Sequence, residues 1–265
     1  MNHPLPTIPI LMYHEVWKST ESIISHTNPA YVLTARNFSR QMHYLRNSGH
    51  TTLWLDEYLD CSLDNEQQSV IITFDDGWYN NYSQAFPVLK ELGLKATIFV
   101  VTDFIGQKGY MDWPQLEEMQ KNGISIQSHT ASHGALTEKS EAQIGKELRL
   151  SKNKIEDRLG KTVQFMSAPH GMVDKRVVDA AIAAGYRAIC TSEPGFLHSP
   201  GRLAVLRRIN ISETGGLLTF QRICEKNGFA ILPMVLSKQL KRVVKRMLGY
   251  AIYRKMYRIR YRIVK

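Results

Sequence analysis

The sequence predicts an α/β fold in which parallel strands form a closed or nearly closed barrel with helices outside. Short apolar runs, several rich in Val and Ile, alternate with capped amphipathic segments along most of the chain. About seven such units fit in roughly 210 residues, a density that suits a ring of strands. Polar clusters follow the carboxyl ends of several runs. Strand–helix alternation makes the strands parallel and places helices over them. A doubly wound open sheet has the same alternation and is the other arrangement the pattern allows.

The strands are expected at residues 8–13, 70–74, 96–101, 124–127, 163–166, 188–190 and 205–211, with a weaker candidate at 51–55. Each run is too short for a buried helix. Between them, Thr34 opens a segment with Phe38, Met42 and Leu45 on one face, and Gly49 follows it. Residues 79–92 form the next helix and end at Gly93. Asp112 caps a helix that begins Trp113-Pro114 and closes at Gly123. Residues 140–159 end at Gly160, and Asp174 caps a helix closed by Gly185. Cap, apolar stripe and terminal glycine recur together, which fixes the type of each element better than its ends. Residues 216–226 read as a further helix.

The charge is unevenly placed. The chain carries a formal net charge of +10, yet the first 237 residues hold 23 basic and 24 acidic side chains. The eleven Lys and Arg from Lys238 to Lys265 meet no Asp or Glu. In this tail an apolar series (Leu236, Leu240, Val243, Val244, Met247, Leu248) recurs near helical spacing, and Tyr253, Tyr257 and Tyr261 alternate with Arg254, Arg258 and Arg262. Such a helix suits the surface of an anionic membrane; a terminal helix packed on the barrel with a solvated basic face fits equally. A near-neutral body without a nucleic-acid motif argues against nucleic acid. The expected division is a catalytic domain over residues 1–215 and a helical basic extension over 216–265.

Cys61, Cys190 and Cys224 fit no disulfide or metal spacing and read as neutral thiols. The N-terminus shows no secretory signal, and no apolar run is long enough to span a bilayer. The expected location is therefore cytoplasmic, peripheral on the inner membrane face.

Four polar clusters stand at strand ends: Tyr13-His14-Glu15, Asp75-Asp76-Gly77, His129-Thr130-Ala131-Ser132-His133 and Pro169-His170-Gly171. A ring of strands brings such ends together. Adjacent carboxylates raise each other's pKa unless a cation lies between them, although Asp-Asp-Gly alone more often marks a solvated turn. A His-x-x-x-His pair with a carboxylate suits Zn²⁺ while leaving positions open for water; alone, such a pair is more often surface histidine. With Asp76, His129 and His133 the set becomes His₂Asp, which suits hydrolysis given a base and an acid.

These residues resemble the polysaccharide deacetylases, the NodB-homology or carbohydrate esterase 4 group. The resemblance rests on Thr73-Phe74-Asp75-Asp76-Gly77, on His129-Thr130-Ala131-Ser132-His133, on Ser167-Ala168-Pro169-His170-Gly171 and on AFPVLKELGLKATIFV between the first two. It spans about residues 8–211. It implies a distorted (β/α) barrel of about seven strands that removes N-acetyl groups from amino sugars. It further implies Asp75 as base, Asp76, His129 and His133 as ligands to a divalent metal, usually zinc with cobalt or nickel as alternatives, and the His170 backbone N–H in an oxyanion hole.

Two positions depart from the family pattern. Ser167 stands where an arginine usually steadies the base, so Arg207 or Arg208 is a substitute from another strand. The usual C-terminal acid histidine has no clear counterpart. His14, after an apolar N-terminal run, resembles the acid of the circularly permuted poly-N-acetylglucosamine deacetylase subgroup; His198 is the runner-up. Trp78, Tyr79, Trp113 and Arg208 are candidate substrate contacts, and His3, His26, His43 and His50 read as surface residues. The expected substrate is an N-acetylated glycan or a lipid-linked sugar. An O-acetyl esterase, a deformylase acting on a lipid-linked sugar and an inactive sugar-binding or membrane scaffold are the competing readings.

Overall fold

The computed structural model describes residues 7–19, 28–60, 68–196, 198 and 203–248. Cys61, His3, His26 and the Tyr–Arg series at 253–262 lie outside the described residues. The main sheet runs β10(Ala204–Leu206), β9(Ala188–Cys190), β8(Phe165–Ser167), β7(Ile124–Ser128), β6(Ala96–Val100), β5(Ser69–Phe74), β1(Ile10–Tyr13) and β11(Ile209–Asn210), with β4(Thr51–Thr52) on the start of β5. Every pairing in it is parallel. A small parallel pair, β2(Glu15–Trp17) and β3(Val32–Thr34), lies beside it.

The curl follows from the connectivity. β10 and β11 end the strand path on opposite sides, yet only Arg207 and Arg208 separate them in sequence. The sheet therefore bends into a barrel whose two margins meet at one seam. The run expected as one strand at 205–211 is divided there, because β10 pairs with β9 while β11 pairs with β1. β1 lies between β11 and β5, so the N-terminal strand sets its end beside the end of β5.

Side-chain alternation divides the core. Ile10, Ile71, Phe99, Phe165 and Cys190 join one buried cluster with Leu206, while their neighbours Leu11, Ile72, Ile98, Met166 and Ile189 join another. The second cluster also takes helix residues Phe38, Met42, Leu45, Leu116, Leu148 and Val177. It is the layer between sheet and helices, and the first fills the barrel; period-two alternation produces both.

The helices begin where the caps predict. Thr34, Asp112, Ser140 and Asp174 accept backbone N–H bonds at the starts of α1(Ala35–Asn47), α4(Trp113–Lys121), α5(Glu141–Leu159) and α6(Lys175–Ala183). α2(Leu55–Leu59) was not anticipated. The helix expected over residues 79–92 is present from residue 79 to α3(Phe86–Leu92), and it widens into a π turn at Asn81–Ala85 on the way. After α7(Gly216–Cys224), α8(Gly228–Leu248) starts before Pro233 and runs through it. Phe220, Ile223 and Cys224 of α7 are buried in the layer that α1 covers.

Candidate metal centre and active site

The ends of β1, β5, β7 and β8 deliver the polar clusters to one rim. Asp75 follows the last residue of β5, and its N–H donates to the Tyr13 carbonyl at 3.0 Å. The next two residues turn out of the strand in the left-handed region, Asp76 at φ 74° and Gly77 at φ 79°. Gly77 is required there on two counts: a side chain resists that φ, and its Cβ would stand 3.1 Å from Val100. Of the described non-glycine residues at positive φ, Asp76, Thr130, His133 and His170 belong to the rim and only Lys226 does not. Strained backbone of this kind concentrates where geometry serves a site.

Asp76, His129 and His133 converge. Asp76 Oδ1 lies 3.4 Å from His129 Nε2 and 3.2 Å from His133 Nε2. One ligand atom from each residue falls within 4.8 Å of the others. Tetrahedral bonds of about 2.0–2.1 Å hold neighbouring donors about 3.3 Å apart, so the two carboxylate–imidazole distances fit a shared divalent ion. The donor set, two imidazoles and a carboxylate, fits it too.

Neighbours hold each donor. His129 Nδ1 is 2.8 Å from the Ser167 carbonyl, which turns Nε2 toward Asp76. Trp78 Nε1 donates to Asp76 Oδ2 at 3.0 Å, leaving Oδ1 for the histidines. Glu147 of α5 accepts from Ala131 N, Ser132 N and Ser132 Oγ at 3.1, 2.9 and 2.5 Å and pairs with Lys139 at 2.9 Å. It thus fastens the loop between the two histidines. Outer partners of this kind set ligand orientation and affinity.

Asp75 is buried behind this group. Arg208 donates from Nη1 to Oδ1 at 2.8 Å and from Nη2 to Oδ2 at 2.6 Å. Arg208 Nη2 also donates to Ser167 Oγ at 2.8 Å, and Ser167 Oγ donates to Asp75 Oδ2 at 3.1 Å. A serine at this third motif leaves room for a guanidinium arriving from the barrel seam. Arg208 is 1% exposed, so it faces the carboxylate and not a substrate, which corrects its placement among substrate contacts. Arg207, its neighbour, is exposed.

The electrostatics favour a cation. Burial pushes the Asp75 carboxyl up, but Arg208, His129 and His14 outweigh it and hold the pKa at about 2. Burial acts the same way on Asp76, yet hydrogen bonds from His129 and His133 keep it well below the usual carboxylate range. Burial disfavours a charged His129, whereas Asp75 and Asp76 raise its pKa. Two ionised carboxylates thus draw positive charge onto the His129 imidazole, at the place a metal ion would compete for.

His14 completes the rim from β1. Its Nε2 lies 4.0 Å from Asp75 Oδ2, and its ring centroid lies 4.4 Å from that of Tyr31. Its carbonyl accepts from Asn81 Nδ2 at 2.6 Å, which ties this loop to the start of the π turn. Burial lowers its pKa, with Asp76 and Asp75 pulling the other way. His198, the runner-up, lies by the amino end of β1: its Nε2 is 3.3 Å from the Ile8 carbonyl and its ring is edge-on to Tyr58.

His170, at φ 60°, brings its ring within 5.1 Å of His133. Gly171 follows at φ 68°, and a Cβ there would collide with Ser192. The aromatic candidates separate. Trp78 is stacked on Tyr110 at 4.5 Å and serves Asp76, so its ring is a wall beside the ligands. Tyr79 is 46% exposed next to it. Trp113 opens α4, packs on the outer core and carries Arg158 over its ring at 5.8 Å, which places it among the covering helices.

A family model described as Polysaccharide deacetylase matches residues 62–189. YxkH of Bacillus subtilis, which takes its name from that family, is 34% identical over 208 residues, covering 77% of this chain and 71% of its own length. The poly-beta-1,6-N-acetyl-D-glucosamine N-deacetylase of Staphylococcus epidermidis is 26% identical over 193 residues, 64% of this chain and 67% of its own. The crystal structure of BC0361, a polysaccharide deacetylase from Bacillus cereus, superposes with a TM-score of 0.71 at 28% identity, covering 82% of this chain and 68% of that one. The matched residues contain Asp75, Asp76, His129, His133, Ser167 and His170, whereas His14 and Arg208 stand on either side of them.

Proposed function

The chain belongs to the polysaccharide deacetylase family, and on that premise we propose that it is a metal-dependent hydrolase removing N-acetyl groups from N-acetylamino sugars of a polysaccharide or lipid-linked glycan. The observation that carries this reading is the convergence of Asp76, His129 and His133 beside the buried Asp75. Zn²⁺ is the first choice for the ion, with Co²⁺ or Ni²⁺ acceptable to the same donors.

When bound, such an ion supplies Lewis acidity, making water more acidic and polarising the acyl carbonyl. Asp76, His129 and His133 hold it. Asp75 is the base. Arg208 keeps it ionised at neutral pH, and a base this weak takes a proton that has itself become acidic. The left-handed backbone at His170 is assigned to present its N–H to the developing oxyanion. His14, whose Nε2 lies 4.0 Å from Asp75 Oδ2, receives the proton that Asp75 takes up and gives it to the departing nitrogen. That acid favours an amide over an ester, since an amine leaves only when protonated. Tyr79 is the remaining aromatic candidate for packing on a sugar ring.

The basic run from Lys238 to Lys265 adds a second part to the reading. Attraction to an anionic surface makes the enzyme peripheral on a membrane and brings lipid-linked glycans within reach.

The test is acetate release from N-acetylglucosamine oligomers and from matched O-acetylated and N-formylated sugars, before and after chelation. Acetate from the N-acetyl substrate that stops on chelation and returns with Zn²⁺ is expected. Release confined to ester or formyl substrates would transfer the reading to the esterase or deformylase alternative. A chain without turnover on any of them would be a binding scaffold.

A further inference from the structure

α8 has two apolar faces. On one side Ile231 is buried, and Ala230, Met234 and Val235 pack against the barrel core. On the other, Phe229, Leu232, Leu236, Leu240 and Val243 are 83, 46, 55, 65 and 53% exposed. Their spacing of three, four, four and three residues puts them within an arc of about 80° at 100° per residue. The row is about 21 Å long at 1.5 Å per residue. A soluble surface scatters large apolar side chains singly; a continuous row of five marks a contact.

The charge of the chain from Lys238 onward identifies the partner. From Lys238 the chain carries eleven basic residues and no acidic one to its end. A second copy would bring the same excess of positive charge, and the two would repel. An anionic surface is attracted instead, the more strongly the more basic residues lie close to it. Among the described residues no helix is long and apolar enough to cross a membrane. The arrangement therefore suits a helix lying in the headgroup region with one face among the acyl chains.

The position of α8 relative to the catalytic rim adds the functional content. Lys238 Nζ donates to Ser192 O at 3.2 Å and to Ser192 Oγ at 3.0 Å, and pairs with Glu193 at 3.7 Å. Ser192 is the residue pressed against Gly171, next to His170. A cavity of about 460 Å³ opens between these parts, lined among others by Gly171, Thr191, Glu193, Arg207, Val235 and Lys238. The helix is fastened to the loop that borders the site.

We infer that the row Phe229, Leu232, Leu236, Leu240 and Val243 inserts into the interface of an anionic lipid bilayer and holds the Gly171–Ser192 edge of the active-site rim beside the headgroups. This rests on the anionic-surface reading given above and adds apolar insertion and a fixed orientation to it. It does not depend on the hydrolytic reading.

The test is sedimentation of the full chain with vesicles of phosphatidylcholine and phosphatidylglycerol (3:1) and of phosphatidylcholine alone, at low and high salt. Leu236→Gln and Leu240→Gln are the variants, with circular dichroism melting as the check on folding. Wild type is expected to bind the mixed vesicles, to retain part of its binding at high salt, and to lose about tenfold in partitioning per leucine replaced. Variants that bind as wild type, with all binding abolished by salt, would overturn insertion and leave the electrostatic reading standing. Failure to bind any vesicle would overturn both. A concentration-dependent dimer in light scattering, broken by the same variants and indifferent to vesicles, would reassign the row to a second copy. If the variants melt early, Val243→Ser at the far end of the row carries the test by the same criteria.

Discussion

Arg208 and Asp75 meet as a fork on a fork: Nη1 to Oδ1 at 2.8 Å and Nη2 to Oδ2 at 2.6 Å, with both side chains buried. The two residues lie 133 positions apart and join the barrel seam to the end of β5. This contact holds Asp75 as an ionised carboxylate at a fixed angle.

Arg208→Gln therefore changes the pH profile as well as the rate. Arg208 is the foremost of the charges that hold Asp75 at about 2 against burial. Without it the carboxyl pKa rises, and the acid limb of kcat/KM moves to higher pH. Breaking a buried pair also costs about 3–5 kcal/mol of stability, so Ser167→Ala, which removes one hydrogen bond from the same carboxylate, is the milder companion. It is expected to shift the limb in the same direction by less. An unmoved limb in both variants, read from kcat/KM against pH, would contradict the assignment.

Metal content separates ligands from their supports. Asp76→Ala and His133→Ala are expected to purify without stoichiometric zinc by elemental analysis. Glu147→Gln keeps all three donors but loosens the 131–132 backbone, and is expected to weaken metal affinity about 10–100-fold. Wild-type affinity in Glu147→Gln, measured by chelator competition, would mean that the loop holds its shape without that carboxylate.

Trp78→Phe removes the indole N–H from Asp76 Oδ2 while keeping a ring against Tyr110. Metal affinity is expected to fall with little change in KM. The opposite split, a raised KM with unchanged metal binding, would return Trp78 to the substrate contacts.

His198 gives a stability prediction with a defined sign. Burial, with Arg207 adding to it and the Ile8 carbonyl opposing, lowers its pKa from 6.5 to about 4. The unfolded chain binds a proton there from about pH 6.5 downward, whereas the folded chain does so only near pH 4. The contribution of neutral His198 is thus present above pH 6.5 and lost as the pH falls toward 4. His198→Gln is expected to flatten the fall in Tm over that interval and to leave kcat unchanged. A large loss of kcat would restore His198 as the acid.

What could be read in advance followed local chemistry. An apolar run into Asp-Asp-Gly marks a strand end, and a cap followed by an apolar stripe and glycine marks a helix, because both depend on neighbours in sequence. Arg208 stands among the sequence candidates in two roles, as the cation that steadies the base and as a substrate contact; only the meeting of β10 and β11 at the seam, which turns it inward, decides for the first. Glu147 gave no sign of its role: nothing in a mid-helix glutamate shows that the histidine loop passes over it. Trp78 looked like a sugar platform because a tryptophan after two aspartates offers the same letters whether its N–H or its face is used.

The central claim is that Asp75 does the proton transfer while Asp76, His129 and His133 hold the ion, and Asp75→Asn tests it most directly. The variant is loaded with zinc, its metal content is measured, and acetate release from N-acetylglucosamine oligomers is followed on the same sample. The predicted result is a full complement of metal with turnover reduced about 10²–10⁴-fold. Wild-type turnover at equal metal content would contradict the account.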